Sequence, residues 1–317
     1  MLNIILGAIS LGLLWAVMTM GVYITYRLLD IADLSVEGTL VTGAAVGAVW
    51  ITGGGNPWIG TFMALLAGLL CGLVTGLLHT KLKIPALLSG ILTMIALYSV
   101  NLRIMGKANI TLLQVETVFS PIECLPFMQG LAEQGIITKN VAILLTGLLV
   151  VIIVSVFLYW FFGTELGSAI RATGNNQQMV RAQGVNTDTM ILLGLMLSNG
   201  LVAMSGALIA QNQSYSDVQM GTGSIVIGLA SVIIGEVLFG TKSFWRCLLS
   251  MSLGAITYRI IIALVLKAGM NANDLKLFTA ITVAICLALP QFKAYWQTLK
   301  KSMQNPAKGG DGNAPAA

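Results

Sequence analysis

Nine apolar runs, each about the length of one bilayer crossing, follow one another along this chain and leave it little choice of fold class. They cover approximately 2–26, 34–52, 57–79, 85–105, 141–162, 188–211, 222–240, 244–266 and 275–292. A helix needs about 20 apolar residues to cross the hydrocarbon core, where every backbone polar group must find its partner within the segment. The runs are continuous and lack the alternation of a membrane strand, which excludes a β-barrel. Charged residues make up only 9% of the 317, against about 25% in soluble domains. The sequence therefore predicts an all-α integral membrane protein of about nine transmembrane helices, set in a lipid bilayer.

The net charge of +5 does not point to nucleic acid, because the positive residues are scattered singly or in pairs at the ends of apolar runs. Arg27, then His79, Lys81 and Lys83, then Arg171 and Arg181, then Lys242 and Arg246, and finally Lys293, Lys300, Lys301 and Lys308 fall on alternate sides of successive spans. Placing these groups in the cytoplasm predicts an N-terminus outside and a C-terminus inside. The long outer loop 106–140 contains Pro121 and "ECLPFMQGL", read as a short helix on the outer face. The apolar N-terminal stretch has no basic residue before it and is too long for a signal h-region, so it reads as a retained span. The tail 293–317 has too little apolar surface to fold alone and is predicted to be disordered.

An internal repeat gives the spans an order. "GVYITYRLLDIADLSVEGTLVTGAAVG" from Gly21 aligns with "GALIAQNQSYSDVQMGTGSIVIGLASV" from Gly206, matching Gly21, Gly38 and Gly43 to Gly206, Gly223 and Gly228 at one offset of 185. The repeat relates span 1 to span 6 and span 2 to span 7, so the halves run in opposite directions. Inverted repeats belong to transport folds, with the path at the interface between the halves. Each copy has a polar break before its second helix, Asp30, Asp33, Ser35 and Glu37 in one and Gln211 to Asp217 in the other. Asp30 and Asp33 are read as helix caps at the membrane surface.

Groups for covalent chemistry are missing from the pattern. Cys71, Cys124, Cys247 and Cys286 form no CxxC, and the single His79 has no Cys or His neighbour, so no metal site is predicted. "GEVLFGTKS", residues 235–243, approaches a phosphate loop but inserts Thr241 before Lys242 and closes a membrane helix, where a phosphate loop must join a strand to a following helix. Glu236 and Arg259 are ionisable residues within spans, a costly placement unless paired or wetted. Interhelical hydrogen bonding and contact with a permeant both remain open for them, with Arg27 the better-placed partner for Glu236. The sequence predicts no enzymatic activity in this chain.

The longest polar interruption, "TELGSAIRATGNNQQMVRAQGVNTD" at 164–188, falls on the cytoplasmic side. Asn175 or Asn176 would cap about two turns of helix, and Gly184 would end them. Ala172, Met179 and Ala182 offer small apolar contact points, suited to docking in a partner's groove.

"ELGSAIRATGNNQQMVRAQGVN" resembles the cytoplasmic signature of ABC importer permeases of the branched-chain amino acid and ribose type. "DIADLSVEGTLVTGAA" resembles the same family's early "DLSVG" or "NFAHGE" segment, and the likeness runs from Gly21 to about Leu289. Within the family, the tryptophan/tyrosine and uncharacterised transport-system permeases are the most similar subgroup. "SVEG" departs from the branched-chain members' "AHGE", and Glu37 is inserted relative to the sugar members, so neither substrate transfers.

The resemblance implies a permease domain at 1–292, with halves of about 1–140 and 188–292 and a cytoplasmic coupling loop at 163–187. Gly167, Arg171, Ala172, Asn175, Asn176, Ala182, Gly184 and Asn186 would form that loop, with its short helix on an ABC ATPase subunit that carries the ATP and Mg. An extracytoplasmic solute-binding protein and a second permease copy, as a homodimer, are the other implied partners, in the bacterial cytoplasmic membrane. Path-lining candidates are Ser35, Glu37, Thr39, Ser89, Thr93, Asn199, Ser205 and Ser224. The solute is small, an aromatic or other amino acid being one candidate and a nucleoside or sugar remaining open. The alternative is an ion-coupled secondary transporter with inverted repeats.

Overall fold

The computed structural model describes residues 2–123 and 138–267, with isolated helical positions between 277 and 288. The ninth apolar run, the tail 293–317 and all but the first residue of "ECLPFMQGL" lie outside the described residues or among those isolated positions. Each of the other eight runs becomes a helix. α1 (Leu2–Tyr23) continues through a π-helical turn at Ile24–Leu28, followed by α2 (Val36–Thr52), α3 (Pro57–Thr80) and α4 (Ala86–Met105). A three-residue strand β1 (Asn109–Thr111) and a single turn α5 (Ser120–Glu123) lead to α6 (Thr138–Gly163). Two short helices, α7 (Glu165–Asn175) and α8 (Gln177–Ala182), precede the long α9 (Thr187–Gln213). The strand β2 (Tyr215–Asp217), α10 (Ser224–Phe239) and α11 (Phe244–Lys267) complete the described chain.

Among the described residues, six helices are long and apolar enough to cross a membrane: α1 with its π turn, α3, α4, α6, α9 and α11. α2 and α10 fall short, with 17 and 16 residues. At 1.5 Å per residue they reach about 24–26 Å, less than the roughly 30 Å hydrocarbon core. The expectation that runs 34–52 and 222–240 are complete spans is therefore not confirmed by these two helices. Both helices start late, because the residues before them are drawn into the polar breaks.

α9 is the hub, packing on α1, α2 and α3. Its most apolar window is 72% buried, whereas that of α4, at the edge, is 28% buried. Between lipid-immersed helices there is no hydrophobic drive to associate, so close packing and hydrogen bonds hold them. Small residues allow that closeness. A Cβ on Gly43 of α2 would strike the backbone of Ala203, and one on Gly68 of α3 would strike the Asn199 carbonyl. Around α1, Leu14, Met18 and Met20 are fully buried with Leu201, Val202 and Met251 in one cluster.

At the end of the bundle where α9 finishes, β1 and β2 pair antiparallel with Ile110 opposite Ser216. This ribbon was not anticipated. α7 and α8 lie at the other end, where α9 begins.

Candidate functional site

The chain between the π turn and α2 is non-helical backbone folded into the protein interior. Asp30 remains exposed and adopts a left-handed φ of +55°, six residues before α2 starts, so it is not the residue at that helix's N-cap. Asp33 does not remain at the surface. Only 3% of it is accessible, and it lies against Asn199, half-way along the 27 residues of α9. Its Oδ1 accepts from the Ser35 backbone N–H at 2.9 Å and from the Ser35 hydroxyl at 2.5 Å, while its Oδ2 accepts from Asn199 Nδ2 at 2.8 Å. Asn199 is held in turn by its own helix through the Leu195 carbonyl, 3.1 Å away. An acid inside a membrane protein costs several kcal/mol unless it is compensated. Here three donors meet it. The N-cap of α2 is Ser35, whose side chain makes no cap bond, so Asp33 is not the surface cap expected of it: it holds Ser35 from within the fold, together with a partner 166 residues away.

The second break enters from the ribbon end. Ser214 turns the chain at a φ of +60°, and after β2 the backbone reaches Gly223, whose φ of +82° suits a residue without a Cβ. Gly223 caps α10, and its N–H donates to Glu37 Oε1 at 2.9 Å. A Cβ on nearby Gly221 would strike the Glu37 carbonyl. The starts of α2 and α10 therefore abut. Helix N-termini carry partial positive charge, and the half-buried Glu37 carboxylate sits between two of them. Ser224 is buried beside this junction, and its hydroxyl makes no hydrogen bond among the described residues.

The contacts of the two short helices correspond. Gly43 of α2 meets Ala203 of α9, and Gly228 of α10 meets Met18 and Val22 of α1. Adding the offset of 185 to 18 and 43 gives 203 and 228, so the contact between Gly228 and Met18 is the image of that between Gly43 and Ala203.

At the other end, four side chains fix the polar loop. Thr164 caps α7 by accepting from Gly167 N–H at 3.3 Å, and Asn176 caps α8 by accepting from Met179 N–H at 3.0 Å. Gly184 closes α8 with a φ of +84°, and Asn186 caps α9 by accepting from Asp188 and Thr189. Arg181 ties the loop to α9, donating to Thr187 Oγ1 at 2.6 Å and pairing with Asp188 at 3.2 Å. Val180 anchors α8 inward, leaving Gln177, Gln178, Met179, Arg181 and Ala182 exposed. Asn175, Asn176, Gly184, Asn186 and Arg171 are also exposed, Ala172 is half-buried, and Gly167 is packed against the backbone of Phe161 and Phe162. Gly174 lies so close to the Leu28 carbonyl that no Cβ would fit. The loop therefore touches the backbone that leads into the first break.

The remaining path candidates scatter. Thr39 and Thr93 bond the carbonyls of Ser35 and Ser89 in their own helices, and Thr93 also accepts from Thr75 at 3.1 Å. Ser89 bonds the Ala86 carbonyl, and Ser205 joins α9 to α1 through the Leu14 carbonyl at 2.7 Å. Ser35, Asn199 and Glu37 alone gather at the breaks, with Ser224 beside them. Glu236 pairs with Arg27 at 3.1 Å, as their matched depth predicted, and Arg259 lies 4.2 Å from the Trp15 ring centroid. Gln211, read as the start of the second polar break, instead lies buried within α9, donates to Thr61 and accepts from Val118 N–H at 2.9 Å. Among the described residues, no three His, Cys, Asp or Glu side chains come together to hold a metal.

The sequence pattern of the branched-chain amino acid transport system / permease component family matches residues 4–289. A tyrosine transport system permease protein of Clostridioides difficile is 41% identical over 284 residues, 90% of each chain. An uncharacterized protein of Rickettsia prowazekii is 31% identical over 90% of this chain and 98% of its own. The LsrC permease of the autoinducer 2 import system of Salmonella typhi is 25% identical over 65% of this chain and 55% of its own length. The solved PsaBC of Streptococcus pneumoniae aligns over 90% of this chain and 89% of its own, with a TM-score of 0.45 and 15% identity, too distant to carry an argument. The chain belongs to the branched-chain amino acid transport-system permease family.

Proposed function

We propose, from that membership, that this chain is the membrane subunit of a bacterial ABC importer and that α8 is its coupling helix. The observation that carries the reading is the displayed, doubly capped α8 together with the Gly174–Leu28 contact, which joins its loop to the backbone entering the first break. A push on α8 by an ATPase subunit has a short mechanical route to the start of α2. The basic ends of the spans favour a cytoplasmic position for α7 and α8, an outer N-terminus and an outer ribbon. The paired contacts of Gly43 and Gly228 support an inverted repeat, with its axis near the junction of Glu37 and Gly223.

In this mechanism an extracytoplasmic binding protein delivers the solute to the ribbon end of two permease copies. ATP-driven closure of two ATPase subunits moves the α8 helices and rocks the bundles to open the path inward. The short-helix starts and the Asp33, Ser35, Asn199 and Glu37 groups beside them are its polar lining. Tyrosine, named for the Clostridioides relative, is the solute to test first. This chain itself binds no nucleotide and breaks no bond.

The test is to purify the chain with its co-expressed ATPase and measure hydrolysis in liposomes with a tyrosine-loaded binding protein. Hydrolysis should rise several-fold on adding the loaded protein. Deleting 175–183 should release the ATPase while the membrane bundle still purifies as a folded species. A fully coupled complex after that deletion would refute the α8 assignment. Uptake by the chain alone, driven by a sodium or proton gradient, would refute the importer reading itself.

A further inference from the structure

A polar cavity of about 890 Å³ opens at the α7–α8 end, between the π turn, α7 and the turn from α10 to α11. Among the described residues three cations face it, Arg27, Arg171 and Lys242, against the single carboxylate of Glu236, a surplus of two positive charges. Glu236 is engaged by Arg27 at 3.1 Å, whereas Arg171 and Lys242 make no ion pair among the described residues. Arg171 is instead held 5.2 Å from the centroid of the Phe244 ring, which also lines the cavity. The hydroxyl-bearing Thr241 and Ser243 flank Lys242 in the turn.

The depth of the cavity is marked independently. Trp245, next to Phe244, meets Tyr159 edge-on at 5.6 Å, and Trp160 beside it is 66% exposed. Exposed Trp and Tyr at helix ends mark the headgroup layer of a bilayer. A basic pocket between helix ends at that level suits an anionic lipid headgroup. The "GTKS" turn that imitates a phosphate loop thus supplies phosphate-type donors, a lysine and two hydroxyls, without the strand and loop of a nucleotide site.

We propose that this cavity holds the phosphate of an anionic phospholipid, with Arg171 and Lys242 as its principal cations. Arg171 presents a planar fork to two oxygens, and Lys242 adds a mobile point charge. The inference does not depend on which solute is carried or on the coupling role of α8.

The test uses the full chain in nanodiscs of phosphatidylcholine, with or without phosphatidylglycerol, reading bound lipid by native mass spectrometry and the melting temperature. Phosphatidylglycerol should be retained in preference to phosphatidylcholine and should raise the melting temperature. Lys242→Gln should weaken that preference about five-fold, and Lys242→Gln with Arg171→Gln about 25-fold, from roughly 1 kcal/mol per cation near the surface. Lys242→Arg should keep it. Each variant must melt as wild type in phosphatidylcholine alone, and if the double variant does not fold, Lys242→Gln decides. Equal retention of both lipids, or wild-type preference in Lys242→Gln, overturns the proposal. A third arm adds inorganic phosphate in phosphatidylcholine discs. If phosphate alone reproduces the melting shift, the site takes a free anion and the lipid assignment falls.

Discussion

The break before α2 and the break before α10 deliver two short helices to one junction, yet they are closed by different chemistry. Before α2, an aspartate, a serine and an asparagine from another helix form a side-chain network. Before α10, a glycine in a left-handed conformation turns the backbone, and a single N–H reaches Glu37. The packing differs in the same sense. Gly43 lies under the backbone of Ala203, but Gly228, 185 positions further on, lies against the side chains of Met18 and Val22. Where they face α9 and α1, α2 is therefore held by directed bonds and backbone contact and α10 by side chains, although α10 keeps backbone contact with α11 where Gly235 meets the Ser250 carbonyl. If the two short helices shift against each other during transport, the α10 side has the lower resistance.

The largest effect should separate the two glycines. Gly43→Ala places a methyl on the Ala203 backbone, which cannot yield without moving α9, and should destabilise the protein by more than about 3 kcal/mol. Gly228→Ala meets the flexible Met18 Cε at 3.3 Å and the stiffer Val22 Cγ2 at 2.9 Å, side-chain atoms that need give only by a few tenths of an ångström, and should cost about 1–2 kcal/mol. Thermal melting in detergent measures both. Equal losses would mean that the two sides are equally rigid.

Next in size is the acid network. Asp33→Ala strands the Ser35 and Asn199 donors in the interior and should cost about 2–4 kcal/mol. Asp33→Asn keeps one acceptor oxygen and should cost about half as much. Melting curves for Asp33→Ala, Asn199→Ala and the double variant form a cycle. A coupling near zero would show that the two side chains are stabilised separately.

Much of this architecture could be read in the chain, and the reasons for the exceptions are physical. The helices were legible because an apolar run of membrane length has no other low-energy solution. The loop caps were legible because Asn176 and Gly184 act on backbone within a few residues of themselves. The Arg27–Glu236 pair followed from equal depth in neighbouring spans. Asp33 was misplaced because an aspartate shortly before a helix has the same local sequence at a surface and in an interior. What separates the two cases is Asn199, brought near only by tertiary packing. The ribbon escaped because three-residue strands have no period, and "NIT" pairs with "YSD" only when α4 and α9 end together. Gln211 read as part of a polar break, although it lies in the last turn of α9 and holds α3 through Thr61 and the loop before α5 through Val118.

On the α10 side the effects should be smaller. Glu37→Ala removes the acceptor for Gly223 N–H at a half-buried position and should cost about 1 kcal/mol. Glu37→Gln retains a carbonyl oxygen for that bond and should stay within about 0.5 kcal/mol, so any larger loss would mean that the junction needs the negative charge between its helix ends. A transport assay adds what melting cannot. If Glu37→Gln melts as wild type but lowers uptake, the carboxylate acts on the permeant and not on the fold.

The smallest effect should come from Arg27→Gln. Arg27 is 59% exposed and its partner Glu236 20%, so solvent screens much of the attraction and ordering the long side chain offsets more. The expected loss is below about 1 kcal/mol, and it should shrink further in 1 M salt, where the Debye length falls to about 3 Å. A larger, salt-insensitive loss would mean that Glu236, once unpaired, is effectively buried at the foot of α10. The α10 side would then be fixed by charge as firmly as the α2 side is by hydrogen bonds, and the contrast between the two breaks would not extend to the far end of the helix.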